Sequence, residues 1–160
     1  MRSANTVGRG QSLRREYPTQ PIVGVGALIV HGGRLVLVRR GIDPGRGKWS
    51  IPGGAVNLGE KVRKAAVREA EEECGLNIEI AVDRPMDVVD SIYRDDEGGF
   101  RFHYVLLQFL ARPRGGKLKP GGDVLDAEWV PLETVETYHL TKAFRSFFKK
   151  HRQDLEAFNR

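Results

Sequence analysis

The chain has 160 residues, of which 40% are hydrophobic and 29% are charged, and its formal net charge is +5. This length and composition predict one globular domain with its own core, and no apolar run reaches the roughly 18 residues that a membrane-spanning helix needs. The single cysteine, Cys74, excludes an internal disulfide framework and cannot by itself form a thiolate zinc site.

The N-terminal segment is polar, contains glycine and lacks periodicity. A flexible arm is therefore predicted over residues 1–16, and a single domain is predicted over residues 17–160. Because the segment also lacks the apolar run of a secretory signal, the cytoplasm is the expected compartment.

The next elements have the patterns of strands and of one helix. The β-branched run over residues 22–30 is typical of a buried strand, and the alternating segment 34–40 predicts the returning strand of a hairpin. Glycine and proline predict a loop over residues 41–54. A helix is predicted over residues 59–74, with Gly75 as its natural end. Further strands are predicted at residues 77–82, 86–93, 102–111 and 126–130.

The last part of the chain predicts an amphipathic helix from Leu140 onward, because its apolar residues recur at helical spacing. His151 lies in this apolar stripe, where a packed histidine is a better interpretation than a metal ligand. Since strands outnumber helices, the sequence predicts an α/β fold in which a mixed sheet carries helices on its faces.

The stretch REAEEECG is the densest group of acids in this basic chain. At about 100° per residue, the small apolar residues of the helix define an inward stripe centred near Val62. Glu69 and Glu73 fall within about 20° of Val62 and Glu72 within about 80°, so all three are predicted to continue the stripe. Only Glu71 is predicted to point outward.

Inward carboxylates need a compensating partner. Each costs several kcal/mol unless it is paired or bound to a cation, and the C-terminal half of a helix disfavours anions further. One or two arginines cannot neutralise three acids, whereas a hard divalent cation with oxygen ligands can. A solvated face with salt bridges, the ordinary interpretation of an acidic helix, fits only Glu71. The pattern therefore predicts a metal site.

The same residues carry a family signature. Residues 54–76 read GAVNLGEKVRKAAVREAEEECGL. This matches the Nudix box: Gly, five residues, Glu, seven residues, Arg-Glu, an apolar residue, any residue, Glu-Glu, any residue, Gly and an apolar residue. The chain thus resembles the Nudix hydrolases of the MutT and ADP-ribose pyrophosphatase type over residues 20–150. Ala70 replaces a larger aliphatic residue of the common pattern, and Asn57 stands where many members have Glu.

The resemblance implies a fold and a reaction. The fold would be an α/β/α sandwich with a mixed sheet, in which the box forms a loop–helix–loop. The reaction would be hydrolysis of a nucleoside diphosphate linked to another group, assisted by Mg²⁺ or alternatively Mn²⁺. The metal would neutralise the diphosphate, position it and lower the pKa of the attacking water.

The resemblance also implies roles for individual residues. Glu69 or Glu72 would accept a proton from the water as catalytic base. Arg68 would act with them by fixing the carboxylates of Glu60 and Glu72. The metal ligands implied are Glu69, Glu72, Glu73, the backbone carbonyl of Gly53 and, as an outer ligand or a partner of Arg68, Glu60.

Further candidates lie outside the acidic helix. Glu128, which precedes Trp129, is either a further metal ligand, as in some MutT-type enzymes, or a strand carboxylate that faces water. Arg39 and Arg40, at the end of a predicted strand, are predicted to bind phosphate groups of the substrate. Gly54 and Trp49, which is expected to pack beneath the Gly-Gly turn, complete the predicted substrate-binding set.

Two features of the region after the box have alternative interpretations. The acids Asp95, Asp96 and Glu97 lie in a loop that could supply a base, as in the ADP-ribose branch, or simply form a solvated hairpin tip. Tyr93 stands near a tyrosine associated with dinucleoside polyphosphate hydrolases, but a core or rim tyrosine is the alternative. Ser91 occupies the place of a proline that many ADP-ribose enzymes have.

Three functions stay open at this point. The flanking segments favour ADP-ribose or a related ADP compound, cleaved to AMP and ribose 5-phosphate. The missing proline and Glu128 favour a MutT-like enzyme that converts (d)NTPs or oxidised nucleotides to monophosphate and pyrophosphate. A non-catalytic module that binds ADP-ribose or RNA is the third possibility, although such modules usually lose box acids. The expected partner is a small nucleotide, not a membrane or a nucleic acid, and a homodimer is compatible with the sequence.

Overall fold

A mixed eight-stranded sheet between two helices forms the body of the protein, in a computed structural model that describes residues 14–158. The elements are β1 (Ile22–His31), β2 (Arg34–Arg40), β3 (Trp49–Ser50), β4 (Gly53–Ala55), α1 (Val62–Cys74), β5 (Leu76–Ile80), β6 (Asp87–Arg94), β7 (Phe100–Gly116), β8 (Val124–Pro131), a 3₁₀ helix (Leu132–Thr137) and α2 (Lys142–Phe158).

Strands β1 and β7 form the centre of the sheet and run parallel, from the pair Ile22–Tyr104 to the pair Ile29–Ala111. The other edge of β7 pairs first with β6 and then with β5, both antiparallel. Strand β1 also pairs with β2 and β4, and β2 continues to β8 and β3. The strands predicted from the sequence are confirmed, and β7 is longer than predicted because it pairs with three strands.

The two helices cover opposite faces of the sheet. Since side chains alternate along a strand, Ala27 and Ile29 of β1 pack with α1, whereas Leu28 and Val30 pack with α2. On the α1 side, the fully buried Ala70 lets the helix lie close to the sheet. The predicted α/β/α sandwich is therefore confirmed.

The ends of α1 follow from two glycines. Gly75 adopts a φ of 72° and donates its N–H to the carbonyl of Glu71 at 3.0 Å, which confirms the predicted end. The helix begins at Val62, later than predicted, because residues 57–60 form a turn. In this turn Gly59 has a φ of 81°, and the Glu60 carboxylate accepts the backbone N–H of Asn57 at 3.1 Å.

Three short elements were not predicted. The two-residue strand β3 lies within the expected loop 41–54, the three-residue strand β4 begins in this loop and ends at Ala55, and the 3₁₀ helix follows β8. Their residues have no strand or helix periodicity of their own. β3 is a strand because it pairs with β2, and β4 is a strand because it pairs with β1. These two strands therefore depend on the tertiary structure and not on a local sequence pattern.

The C-terminal helix confirms its prediction. Its buried side chains include Phe144, Phe148 and Leu155, all of which pack on the sheet. His151 is a packed histidine, since it is buried, its ring centroid lies 4.5 Å from that of Phe147, and its Nε2 lies 2.7 Å from a carboxylate oxygen of Asp87.

The predicted arm falls mostly on residues 1–13, which lie outside the described residues. Two of the remaining arm residues contact the body of the protein: Arg15 donates to the hydroxyl of Tyr104 at 3.0 Å, and Glu16 pairs with Arg101 at 2.8 Å. Within residues 14–158, no helix has the length and apolar character needed to cross a membrane.

Candidate active site

A cavity of about 390 Å³ opens where β1, β4 and the C-terminal half of α1 meet the connection into α2. This volume lies in the range of small-molecule sites. Apolar side chains such as Val25 and Ile51 line part of its wall. The charged residues that line it are Arg15, Arg40, Glu69, Glu73 and Asp123.

The Gly53–Gly54 pair brings the backbone of β4 against the acids of α1. The N–H of Gly53 donates to the Glu73 carboxylate at 3.0 Å. A Cβ atom at Gly54 would lie 2.5 Å from Oε1 of Glu69, so any other residue there would displace this carboxylate from its present position. The predicted role of Gly53 rested on its carbonyl, but the contact that the structure contains is made by its N–H.

Arg68 joins three carboxylates on the side of α1 next to β4. Its Nε and Nη2 donate to the two oxygens of Glu60 at 2.7 and 2.9 Å, which is a bidentate pair. Its Nη1 donates to Glu69 at 2.8 Å and to Glu72 at 3.1 Å, and Nη2 also reaches the carbonyl of Ala55 at 3.1 Å. Arg68 holds the pKa of Glu60 down to about 2. Glu60 is thus a partner of Arg68, one of its two predicted roles.

The prediction that Glu72 faces inward is wrong. Its side chain is 56% exposed, whereas that of Glu69 is 12% exposed. Glu72 lies at the margin of the helical stripe, and among residues 14–158 its bond to Arg68 is what links it to the other acids. The inward acids are therefore two, Glu69 and Glu73.

Burial acts against the charges of these two acids. Although the cavity gives solvent some access to Glu73, desolvation raises its pKa to about 7, against the opposing effect of the Gly53 N–H. Burial likewise raises the pKa of Glu69, and the bond from Arg68 offsets part of this shift. Burial disfavours the ionised form of both carboxylates. A bound cation would stabilise this ionised form, so the two acids form a favourable site for a cation.

The donor set fits a hard divalent cation, since it consists of carboxylate and backbone oxygens. Among residues 14–158, no three His, Cys, Asp or Glu side chains are already gathered in metal-binding geometry. Glu69 accepts a hydrogen bond from Arg68 and Glu73 accepts one from the Gly53 N–H, so both carboxylates already have partners. Metal binding would involve an exchange of these contacts.

The raised pKa of Glu73 predicts how the stability of the metal-free protein depends on pH. The pKa of the Glu73 carboxyl is 4.5 in the unfolded chain and about 7 in the folded protein. Between these values the folded state binds more protons than the unfolded state, so the free energy of unfolding falls as the pH rises through this window. Thermal unfolding in chelator from about pH 5 to pH 8 measures the slope. Glu73→Gln should flatten it, and an unchanged slope in this variant would contradict the assignment.

Only one of the two strand-end arginines reaches the cavity. Arg40 lines it and donates its Nε to the carbonyl of Pro44 at 2.6 Å. Arg39 is exposed, lies outside the lining and donates to the carbonyl of Gly47 at 3.1 Å. Neighbouring residues of a strand point to opposite faces, so the two could not both enter the site.

The structure does not bring Glu128 to the other acids. Glu128 pairs with Leu37 and leaves β8 on the sheet face that α2 covers, whereas α1 covers the other face. Its carboxylate accepts the hydroxyl of Tyr138 at 2.5 Å, which raises the pKa of Tyr138 to about 12. Trp49 is also outside the cavity lining and packs edge-on against Tyr138, with ring centroids 5.2 Å apart.

The features after the box are divided between the site and the surface. Tyr93 lines the cavity and packs edge-on against Phe102. Asp95 organises the β6–β7 turn, because it accepts the backbone N–H groups of Glu97 at 3.0 Å and Gly99 at 2.7 Å. None of the loop acids lines the cavity within the described part of the chain, as expected for a hairpin tip.

The cavity contains polar residues that the sequence analysis did not assign to the site. Gln108 is buried, and its Oε1 has no hydrogen-bond partner among residues 14–158. Ser91 is also buried and lines the same wall. The sequence did contain a signal for Gln108, because a single glutamine in the apolar segment HYVLLQFLA indicates a buried polar side chain. No local pattern marked Arg15, which lies in the predicted arm.

Comparisons with known proteins agree with the geometry. A family model described as NUDIX domain matches residues 20–151. An ADP-ribose pyrophosphatase of Methanocaldococcus jannaschii is 35% identical over 115 residues, which cover 72% of this chain but only 64% of that protein. An RNA pyrophosphohydrolase of Novosphingobium aromaticivorans is 26% identical over 152 residues, covering 88% of this chain and 92% of that one. The solved MutT NUDIX hydrolase from Burkholderia pseudomallei is 34% identical with a TM-score of 0.68, covering 81% of this chain and 97% of that one.

Proposed function

The chain belongs to the NUDIX domain family of hydrolases, and from this premise we propose that it cleaves a nucleoside diphosphate linked to another group, with ADP-ribose as the preferred substrate. The observation that carries the proposal is the placement of Glu69 and Glu73 on one wall of a nucleotide-sized cavity that Arg40 also lines. This arrangement offers carboxylates for a cation and a guanidinium for a phosphate.

Glu69 and Glu73 would hold the divalent cation, with the backbone at Gly53 beside them and Glu72 at the rim. When bound, Mg²⁺ or Mn²⁺ neutralises diphosphate charge and lowers the pKa of a bound water. Arg68 fixes Oε1 of Glu69. Oε2 of Glu69 has no hydrogen bond within the described residues, and its carboxyl has a raised pKa, so Oε2 is the atom that would accept the proton of the attacking water.

The nucleoside would occupy the apolar part of the cavity. Gln108 provides an amide oxygen without a protein partner in the described residues, and Ser91 adds a hydroxyl on the same wall. Buried polar groups of this kind favour a ligand that can hydrogen-bond to them. Tyr93 and Tyr104 supply aromatic surface nearby. Together with the similarity to an archaeal ADP-ribose pyrophosphatase, these features support an ADP compound.

A second candidate is hydrolysis of (d)NTPs or oxidised nucleotides to monophosphate and pyrophosphate. The observation that favours it is the similarity to a solved MutT NUDIX hydrolase, which extends over 97% of that chain. The acids and the arginines would serve either reaction, because both break a phosphoanhydride bond.

A product assay separates these candidates. The protein with Mg²⁺ is incubated with ADP-ribose, NADH, diadenosine polyphosphates, sugar nucleotides, dNTPs, 8-oxo-dGTP and a 5′-triphosphate RNA, and products are resolved by chromatography. The proposal expects AMP and ribose 5-phosphate from ADP-ribose with the highest kcat/KM of the panel. A kcat/KM on a dNTP at least tenfold above that on ADP-ribose would replace it with the second candidate. Tight ADP-ribose or RNA binding without any cleavage would indicate a binding module.

A further inference from the structure

We propose that Arg15, in the segment that precedes β1, is a substrate-binding residue that acts with Arg40 to hold a phosphate group of the substrate. The inference deepens the proposed function and rests on it for the identity of the substrate. It concerns a part of the chain that the sequence assigned to a flexible arm without a role in the site.

The segment that carries Arg15 is attached to the body at the next two residues. Tyr17 donates its N–H to the carbonyl of Arg101 at 2.7 Å and its hydroxyl to Asp95 at 2.9 Å. Glu16 forms an ion pair with Arg101 at 2.8 Å. Tyr17 has a φ of 50°, a conformation that costs free energy for a residue other than glycine and persists only where contacts hold it. The position of Arg15 is therefore determined by β7 and the β6–β7 turn.

The guanidinium of Arg15 is oriented by one bond and leaves most of its donors available. Its Nε donates to the hydroxyl of Tyr104 at 3.0 Å, and both residues line the cavity. A guanidinium has five N–H donors, and the two Nη groups of Arg15 have no partner among residues 14–158. Such a fork matches two oxygens of a phosphate.

Arg15 and Arg40 place two positive charges in the same cavity. Neither forms an ion pair in the described part of the chain. Burial lowers the pKa of Arg40, the carboxylate of Glu73 raises it in part, and the charge of Arg15 lowers it, so the two arginines repel each other within interaction range. Fold stability alone does not favour this arrangement, whereas a phosphate between the two would relieve the repulsion and pair with both.

The test measures equilibrium binding of pyrophosphate in chelator, by calorimetry, to the wild type and two variants. Arg15→Ala is expected to weaken binding about tenfold, because a lost hydrogen bond to a charged group is worth about 1.5 kcal/mol. The matched control is Arg14→Ala, which removes the same charge from an exposed neighbour whose one side-chain hydrogen bond within residues 14–158 goes to the carbonyl of Glu16. Arg14→Ala should bind within about twofold of wild type.

A second measurement uses whichever substrate the product assay identifies. Arg15→Ala should raise KM about tenfold and leave kcat within about threefold, because a contact to a phosphate oxygen that is already made in the ground state acts equally on ground and transition states. Equal pyrophosphate affinity in Arg15→Ala and wild type, or an equal loss in Arg14→Ala, would overturn the proposal. Absence of hydrolysis would contradict only the proposed function, since pyrophosphate binding in chelator requires no turnover.

Discussion

Replacing Glu69 or Glu73 with glutamine is expected to lower kcat/KM by two or more orders of magnitude while the protein keeps its fold. Each substitution removes a carboxylate charge from the cavity wall, and Glu69→Gln also removes the proposed proton acceptor. Because burial raises the pKa of both acids, the neutral amide relieves an unfavourable charge. The metal-free variants should therefore unfold at the same temperature as wild type or higher. Steady-state kinetics in saturating Mg²⁺ and thermal unfolding in chelator measure the two effects.

Glu71→Gln is the matched control for this series. Glu71 lies on the same helix but is exposed and does not line the cavity. The variant should change kcat/KM less than about threefold and the free energy of unfolding by less than about 0.5 kcal/mol. If Glu71→Gln were as damaging as Glu73→Gln, the assignment of the inward face of α1 would be wrong.

Glu72→Gln distinguishes the two candidates for the base. If Oε2 of Glu69 accepts the proton, Glu72→Gln should retain more activity than Glu69→Gln, because Glu72 is exposed and held only through Arg68. If Glu72 is the base, the order of the two variants is reversed.

Replacing Arg68 with alanine is the second substitution with a large expected effect, and it should reduce both activity and stability. Arg68 bonds to Glu60, Glu69 and Glu72, so its removal leaves the buried Glu69 without a counter-charge. We expect kcat/KM to fall at least about thirtyfold, since Glu69 loses the contact that positions it. The free energy of unfolding should fall by about 2 kcal/mol, below the range for a fully buried pair because Arg68 is partly exposed.

Urea denaturation and kinetics on matched samples test this prediction. Arg63→Ala on the same helix is the control, since the one residue with which Arg63 pairs in the described part of the chain is Asp83, in an exposed contact. It should cost less than about 0.5 kcal/mol and leave kcat/KM unchanged. Arg68→Lys keeps the charge but loses the bidentate fork, so it should fall between wild type and Arg68→Ala. Wild-type activity in Arg68→Ala would show that the network does not position Glu69.

The sequence alone determined the features that depend on local periodicity. The apolar stripe of α1 and the position of Glu69 and Glu73 on it follow from the helical repeat. This repeat depends only on spacing within the helix, so it can be predicted from neighbouring residues in the sequence. The main strands and the amphipathic α2 follow in the same way. The family signature added the reaction class, because its spacing places the acids on one helix.

The tertiary structure decided what depends on long-range contacts. Which face of β8 carries Glu128 depends on its pairing with β2, and this pairing separates Glu128 from the acids of α1. The exposure of Glu72 depends on which part of the helix surface the rest of the protein covers, and no local pattern encodes this. Arg15 reaches the cavity because residues 16 and 17 bind β7 and its turn, over 75 positions away in the chain. Contacts between such distant segments are fixed by packing and pairing of the whole sheet, and for this reason a local reading could not predict them.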